Sequence, residues 1–245
     1  MTKRNTEGNY FTYKRYVEII ESETNPMYRL IFRFLYEKML RVGECIGDST
    51  RRFCSVCDLV IRIHPLSPNP MLHRLKKHCS CDNPVVVWRN TLPGLSKDCI
   101  DAVNSHEYNI ISPHNLKILG KGGSFAIIDL PDVSLANSNI GGLYTELQSF
   151  LNGKHLTQSD RIFPITRLSV YNRIKKHGLC LNGLNLTPHC FRRSGAVDDA
   201  LSGIPLTVVQ HALRHKSLQQ SLNYVRLSRE MGYSEYSRIK YGISN

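Results

Sequence analysis

Between residues 51 and 105 the helical patterning of the chain breaks off. Cys, His, Pro and basic residues crowd in, with only short periodic segments among them. Before and after this stretch, apolar residues recur at the three- and four-residue spacing of a helix face. One uninterrupted helical bundle is therefore excluded. The expected organisation is a mainly α domain, with a small antiparallel sheet or hairpin, built from residues 1–50 and 106–245. Residues 51–105 form an inserted module.

Residues 12–25 open a helix with Tyr16, Ile19 and Ile20 on one face. Asn25-Pro26 then starts a second, with Asn as cap and Pro in the first turn. Tyr28, Ile31, Phe32, Leu35 and Met39 should face the core, and Gly43 and Gly47 end the pattern. Residues 114–130 alternate around a Gly-rich turn, the pattern of a β-hairpin with Lys121 at its tip. Five helical segments follow, at 142–151, 169–177 with a stop at His177-Gly178, 188–201, 207–213 and 218–226. Tyr233, Tyr236 and Tyr241 in the tail are assigned to packing.

Charge narrows the partner. The chain carries 32 Lys and Arg against 20 Asp and Glu, a formal +12. Residues 161–245 alone hold 13 basic and four acidic side chains. Such a local excess favours a polyanion. No apolar run reaches the roughly eighteen residues of a membrane span. The polar N-terminus lacks the apolar core of a secretory signal. An intracellular protein with reduced thiols is expected: cytoplasmic, at the nucleoid, if prokaryotic or viral, and nuclear if eukaryotic. Cys45, Cys99, Cys180 and Cys190 read as buried structural thiols.

Inside the 51–105 stretch, Cys54-x2-Cys57-x15-His73-x4-His78 has the spacing of a Cys2His2 zinc site. Two thiolates and two imidazoles can surround Zn2+ tetrahedrally, and the metal can fold a segment too small for its own core. Cys54, Cys57, His78 and Cys81 form a rival set, with His64 and Cys79 weaker candidates. Six basic residues (Arg51, Arg52, Arg62, Arg74, Lys76 and Lys77) accompany a single acid, Asp58, between 51 and 78. A positive module of this kind can contact DNA phosphates.

The densest chemistry lies in the last third. Thr187-Pro-His189-Cys-Phe-Arg192 puts His189 and Arg192 three apart at a helix start, on one face. Backbone N–H groups at that end favour an anion. His215 follows, and Tyr224 stands nine residues after it. This ordered set resembles the tyrosine recombinases, the phage-type integrases. Tyr36-Glu-Lys-Met-Leu-Arg41-Val-Gly-Glu44 resembles the family's first arginine box, and Gly120-Lys121 with the strand after it resembles its lysine-bearing hairpin. The likeness covers residues 12–50 and 106–230.

The resemblance implies the recombinase catalytic fold and site-specific cutting and rejoining of double-stranded DNA through a 3′-phosphotyrosine. Tyr224 is implied as nucleophile, and Arg41 and Arg192 as holders of the non-bridging oxygens. Lys121 would protonate the leaving 5′-oxygen, His189 would assist the tyrosine proton, and His215 would hydrogen-bond the phosphate. No metal or other cofactor is implied for catalysis; the expected zinc is structural. A tetramer on synapsed DNA is implied, from a monomer or dimer in free solution, with no membrane partner. Two features depart from the family pattern: Met39 and Arg214 stand where it usually has glycine. Arg214 offers one more candidate phosphate contact. With the first box at Arg41, no separate N-terminal core-binding domain is expected, and the inserted module is a candidate substitute for part of that clamp. The alternatives are a catalytically silent DNA-binding protein of the same fold and a type IB topoisomerase-like relaxing enzyme.

Overall fold

The computed structural model describes residues 10–47, 50–54, 86–90, 94–96, 99, 114–119, 125–130, 132–135, 138–157, 160–180 and 185–222; for 50–54 and 86–90 it describes the backbone alone. The elements are α1 (Tyr13–Ser22), α2 (Pro26–Glu37), α3 (Val42–Ile46), β1 (Thr50–Cys54), β2 (Val86–Asn90), β3 (Asn115–Leu119), β4 (Phe125–Asp129), α4 (Leu143–Leu151), α5 (Arg167–Cys180), α6 (Pro188–Leu201) and α7 (Leu206–Leu213). A further helical stretch occupies 218–222. The strands form two antiparallel pairs, β1 with β2 and β3 with β4.

Helix α2 is the spine. Its start follows from Asn25, whose Oδ1 accepts from the backbone N–H of Met27 at 3.0 Å and of Tyr28 at 3.3 Å, with Pro26 needing no partner. The predicted face is buried at Ile31, Phe32, Leu35 and Met39, while Tyr28 is half-buried. Burial extends right around the helix to Leu30, Phe34 and Arg33. A buried guanidinium needs acceptors on every side. Arg33 donates to Glu37 at 2.6 Å, to the carbonyl of Gly141 at 2.9 Å and to Glu146 at 2.5 Å, which fastens α4 to α2.

Helix α6 packs along α2 more closely than a side chain would allow. A methyl group on Gly195 would meet the carbonyl oxygen of Tyr36 far inside contact distance. The two helices thus approach through bare backbone, and Phe191 fills the space beside Phe32, with ring centroids 5.2 Å apart.

Several helix boundaries differ from expectation: α1 ends at Ser22, α4 begins at Leu143, and α5 begins at Arg167. Helix α5 does not stop at Gly178 but runs on to Cys180. Val170, Ile174 and Gly178 lie four apart along its buried face. His177 is tied by Nε2 to Glu23 at 2.8 Å. That packing offsets the roughly 1 kcal/mol a mid-helix glycine costs. Helix α7 begins at Leu206, one residue earlier than its pattern suggested. Of the four cysteines expected to be buried, Cys45 and Cys190 are; Cys99 is half-buried and Cys180 is exposed, on the outer face of the last turn of α5.

The hairpin expected at 114–130 is present as β3 and β4, with Leu119 opposite Phe125 and Asn115 opposite Asp129. Its inner face buries Leu116 and Ile118 in the main core. The β1–β2 pair was not foreseen. It sets Cys54 opposite Val86 and Thr50 opposite Asn90. Just outside this ladder, Gly47 and Gly94 meet back to back, each with φ 83°. A Cβ on Gly94 would fall 2.5 Å from the Gly47 nitrogen. The chain therefore leaves the core at Gly47 and touches it again at Gly94, beside its point of departure. Leu95 then enters the core, donating to Cys45 O at 2.9 Å and accepting from Ile162 at 2.8 Å. No described helix is long and apolar enough to cross a membrane.

Candidate active site

Four of the six expected catalytic residues fall on described segments, and the fold brings them to one place. Arg41 caps the N-terminus of α3, directly after the end of α2. His189 and Arg192 lie in the first turn and a half of α6. Thr187 starts that helix, its hydroxyl accepting from the Cys190 N–H at 3.3 Å. Arg192 points into the protein and is 3% exposed.

His215 is placed by the way α7 ends. Arg214 adopts the left-handed conformation, φ 52°. The Arg214 N–H bonds to His211 O at 2.9 Å and the His215 N–H to Gln210 O at 3.1 Å. This pair of bonds is a Schellman motif, which usually recruits glycine at the left-handed position. It throws His215 out of the helix axis and back toward α3. Ser221, fully buried in the 218–222 stretch, hydrogen-bonds the ring at Nδ1 at 2.9 Å and fixes its orientation.

The centre of the group is Glu44, a carboxylate to which the sequence reading gave no role. It is shut off from solvent. Its Oε1 accepts from Arg41 Nη1 at 2.6 Å. Its Oε2 accepts from the Arg41 backbone N–H at 2.7 Å and from Arg214 Nη2 at 2.8 Å. Arg192 Nη1 stands 3.8 Å from the same oxygen. Arg192 itself donates to the carbonyl oxygens of Met39 and Leu213, the residues before Leu40-Arg41 and before Arg214. The only sequence signal for Glu44 was its position three residues after Arg41. With an arginine at the cap, that spacing does not read as a capping box.

Among the described residues, three guanidiniums thus surround the Glu44 carboxylate in a largely desolvated place. Burial alone would raise the Glu44 carboxyl. Arg214 first, then the Arg41 amide and side chain and the Arg192 charge, hold it below the usual carboxylate range. The imidazoles feel the same field in the opposite sense. Burial, then Arg192, Arg41, Arg214 and His189, lower His215 to about 4. His189 keeps part of its surface in solvent. Crowding around its ring, then Arg192, Arg193 and Arg41, lower it too. Both rings are consequently neutral near pH 7 and able to accept a proton. Arg41 retains 37% of its side-chain exposure, which leaves this cationic cluster open to a ligand on one side.

Arg214 does not serve the purpose first suggested for it. Its guanidinium is turned inward and donates to Ala212 O, Met39 O and Glu44, so it is not presented to a phosphate. Lys121, Tyr224, Cys57, His73 and His78 lie outside the described residues. So do the rival ligand Cys81 and the weaker candidates His64 and Cys79. Cys54 is described by its backbone alone, at the end of β1. Among the described residues no group of three or more metal-binding side chains occurs. His211, which the sequence left outside the motif, is exposed in the last turn of α7.

No protein-family model matches the sequence, and no curated protein does. Solved structures do match. The XerA recombinase superposes with a TM-score of 0.53 at 15% identity, over 97% of this chain and 66% of that one. The XerH site-specific recombinase, bound to palindromic difH substrate in a post-cleavage complex, superposes with a TM-score of 0.50 at 14% identity, over 95% of this chain and 54% of that one. The chain spans between about half and two thirds of the length of these proteins. Its fold, mainly helical with a small antiparallel sheet, is that of the tyrosine recombinase catalytic domain.

Proposed function

We propose that the protein is a site-specific DNA strand transferase that cuts and rejoins double-stranded DNA through a phosphotyrosine. The observation that carries this reading is the cluster of guanidinium charge around Glu44, flanked by two neutral imidazoles and open at Arg41. A phosphodiester is an anion that such a positively charged cluster would attract. Arginine suits the task because its planar fork stays charged and offers paired donors.

In this mechanism Arg41, joined by Arg192 once its fork turns from the Met39 and Leu213 carbonyls, holds the two non-bridging oxygens and stabilises the charge that builds on them as phosphorus becomes five-coordinate. The Tyr224 phenol oxygen forms a bond to phosphorus as the bond to the 5′-oxygen breaks. The phenolic proton passes to His189, whose depressed pKa leaves it neutral and receptive. Lys121 delivers a proton to the departing 5′-oxygen. His215 hydrogen-bonds the phosphate. The phosphotyrosine keeps the energy of the diester, so attack by a 5′-hydroxyl reverses the steps and rejoins the strand with no external energy source.

The segment that departs at Gly47 and returns at Gly94 acts as an inserted module, with Zn2+ held by Cys54, Cys57, His73 and His78, or with His78 and Cys81 completing the site. The pairing of Cys54 with Val86 supports this, since it brings the two ends of residues 55–85 side by side. The metal would supply folding energy to that segment and take no part in the cleavage. Its basic residues would grip DNA phosphates beside the site. A Cys54→Ser/Cys57→Ser variant that bound its DNA site normally would count against this role. Assembly as a tetramer on synapsed sites, in the cytoplasm or nucleus where DNA lies, belongs to the same proposal.

The test is covalent trapping. A nicked suicide duplex, drawn from the DNA flanking the encoding gene, should leave a protein–DNA adduct that resists denaturant and disappears in Tyr224→Phe. Site-specific binding with no adduct would favour the silent DNA-binding alternative. Relaxation of supercoils without a preferred site would favour the topoisomerase-like one.

A further inference from the structure

Arg214 is an expensive residue to keep where it stands. The end of α7 requires a left-handed conformation there, at φ 52°, which side chains other than glycine adopt unwillingly. Yet its side chain is only 11% exposed and turned into the layer that supports the site. Nη1 donates to Ala212 O at 2.7 Å. Nη2 donates both to Met39 O at 2.7 Å and to Glu44 Oε2 at 2.8 Å. These bonds join the turn before His215 to the turn before Arg41, across 170 to 175 residues of sequence.

The second consequence concerns Arg192. Glu44 Oε2 already takes the Arg41 amide and Arg214 Nη2, which occupy its two lone-pair directions. Arg192 Nη1 remains 3.8 Å away, beyond hydrogen-bond distance. With Arg214 removed, that acceptor opens to Arg192, whose Nη1 otherwise donates to Met39 O. A carboxylate that captured Arg192 would keep its fork, which rests on the Met39 and Leu213 carbonyls, from turning to the phosphate.

We infer that Arg214 is a positioning residue for strand cleavage: by saturating Glu44 Oε2 and bracing Met39 O, it keeps Arg41 and Arg192 arrayed as a pair instead of letting Arg192 close onto Glu44. The inference rests on the proposed strand-transferase reading. It assigns Arg214 no contact with DNA.

The left-handed conformation makes the test unusually clean, because Arg214→Gly removes the guanidinium while easing the backbone. Arg214→Asn, which tolerates the same conformation, serves as a second variant. Full-length proteins are compared on the suicide duplex under single-turnover conditions at saturating protein. The dissociation constant and melting temperature are measured alongside. Arg214→Gly is expected to melt near the unchanged protein, bind within about threefold, and form adduct at least about tenfold more slowly. If Arg214 acts through the carboxylate, Glu44→Gln with Arg214→Gly should cleave no more slowly than Glu44→Gln alone. Adduct formation within twofold of the unchanged protein overturns the inference. So does a defect confined to binding, which would mark a phosphate contact, or a defect no larger than the loss of folded protein in both variants. No adduct from the unchanged protein would instead overturn the strand-transferase reading, and the inference with it.

Discussion

The carbonyl oxygen of Met39 accepts the Arg214 guanidinium at 2.7 Å, and these two residues are the only described non-glycine positions in the left-handed region, at φ 47° and 52°. Met39 ends the chain's exit from α2, and Arg214 ends α7. Each turn is followed closely by a side chain of the candidate site, Arg41 in one case and His215 in the other. The backbone keeps at both turns a geometry that glycine would adopt freely, and each residue compensates for its strain through its side chain. Met39 is buried against Ala196, Val197, Val209 and Leu213, and Arg214 feeds Glu44.

Met39→Gly therefore has two opposed effects. It relieves about 1 kcal/mol of left-handed strain and forfeits a buried side chain worth about 2–5 kcal/mol. The packing loss should win, lowering stability by about 1–4 kcal/mol in urea unfolding. A variant as stable as the parent would show that the second core cluster does not depend on Met39.

Glu23 holds a buried ion-pair cluster away from the site. Its carboxylate receives two bonds from Arg173, at 2.7 and 2.6 Å, the Asn25 N–H at 2.8 Å, and His177 at 2.8 Å. Burial would raise its pKa, but Arg173, the Asn25 amide and His177 lower it to about 2. A folded-state value below the unfolded one means the stabilisation is complete above the unfolded pKa and fades as pH falls toward 2. Glu23→Gln should cost about 3 kcal/mol near neutral pH, and the two proteins should converge in strong acid. A constant difference from pH 7 down to 2 would refute the assignment.

Asp199 behaves in the opposite way. Burial first, then the neighbouring Asp198 charge, raise it to about 6 against the pull of Lys38. Its contribution is favourable below the unfolded pKa and is lost as pH rises through about 6. Asp199→Asn should thus stabilise the protein at pH 8 by about 1 kcal/mol, or roughly 3 °C in melting temperature, and give no gain at pH 4. A gain of equal size at both values would mean that titration is not its source.

DNA binding should take up protons. His189 and His215 are depressed by crowding and by surrounding guanidiniums. A phosphate anion offsets those charges and lifts both imidazoles back toward their ordinary range. Proton uptake makes binding tighten as pH falls from 8 toward 6. Calorimetry in two buffers of different ionisation heat checks this, and a heat independent of buffer would contradict it.

Much of the scaffold was legible because the signals were local. The Asn25-Pro26 cap, the apolar face of α2, and the Thr187-Pro188 start of α6 each follow from a few adjacent residues. The 188–201 helix is found with the bounds its pattern gave. Local signals also failed in identifiable ways. Gly178 looked like a stop because the bond from His177 to Glu23 comes from 154 residues away. The burial of Arg33 had no local signal, because its acceptors Gly141 and Glu146 lie on another helix and its approach. The β1–β2 pair was missed because each strand is five residues long and its partner is remote. At the candidate site, the family resemblance marked Arg41, His189, Arg192 and His215. It marked Met39 and Arg214 as departures from a pattern. That the two departures touch, and that Glu44 ties three arginines together, are long-range relations that no local spacing encodes.

A structure of the protein with a nicked duplex and orthovanadate tests the central claim most directly, because vanadate adopts the five-coordinate geometry of a phosphoryl transfer in progress. The account predicts one vanadium bridging the Tyr224 phenol oxygen and the DNA 5′-oxygen, with Arg41, Arg192 and His215 on its equatorial oxygens, His189 beside the phenol and Lys121 at the leaving oxygen. Vanadate bound elsewhere, or held while Arg41 and Arg192 point away from it, would contradict the account.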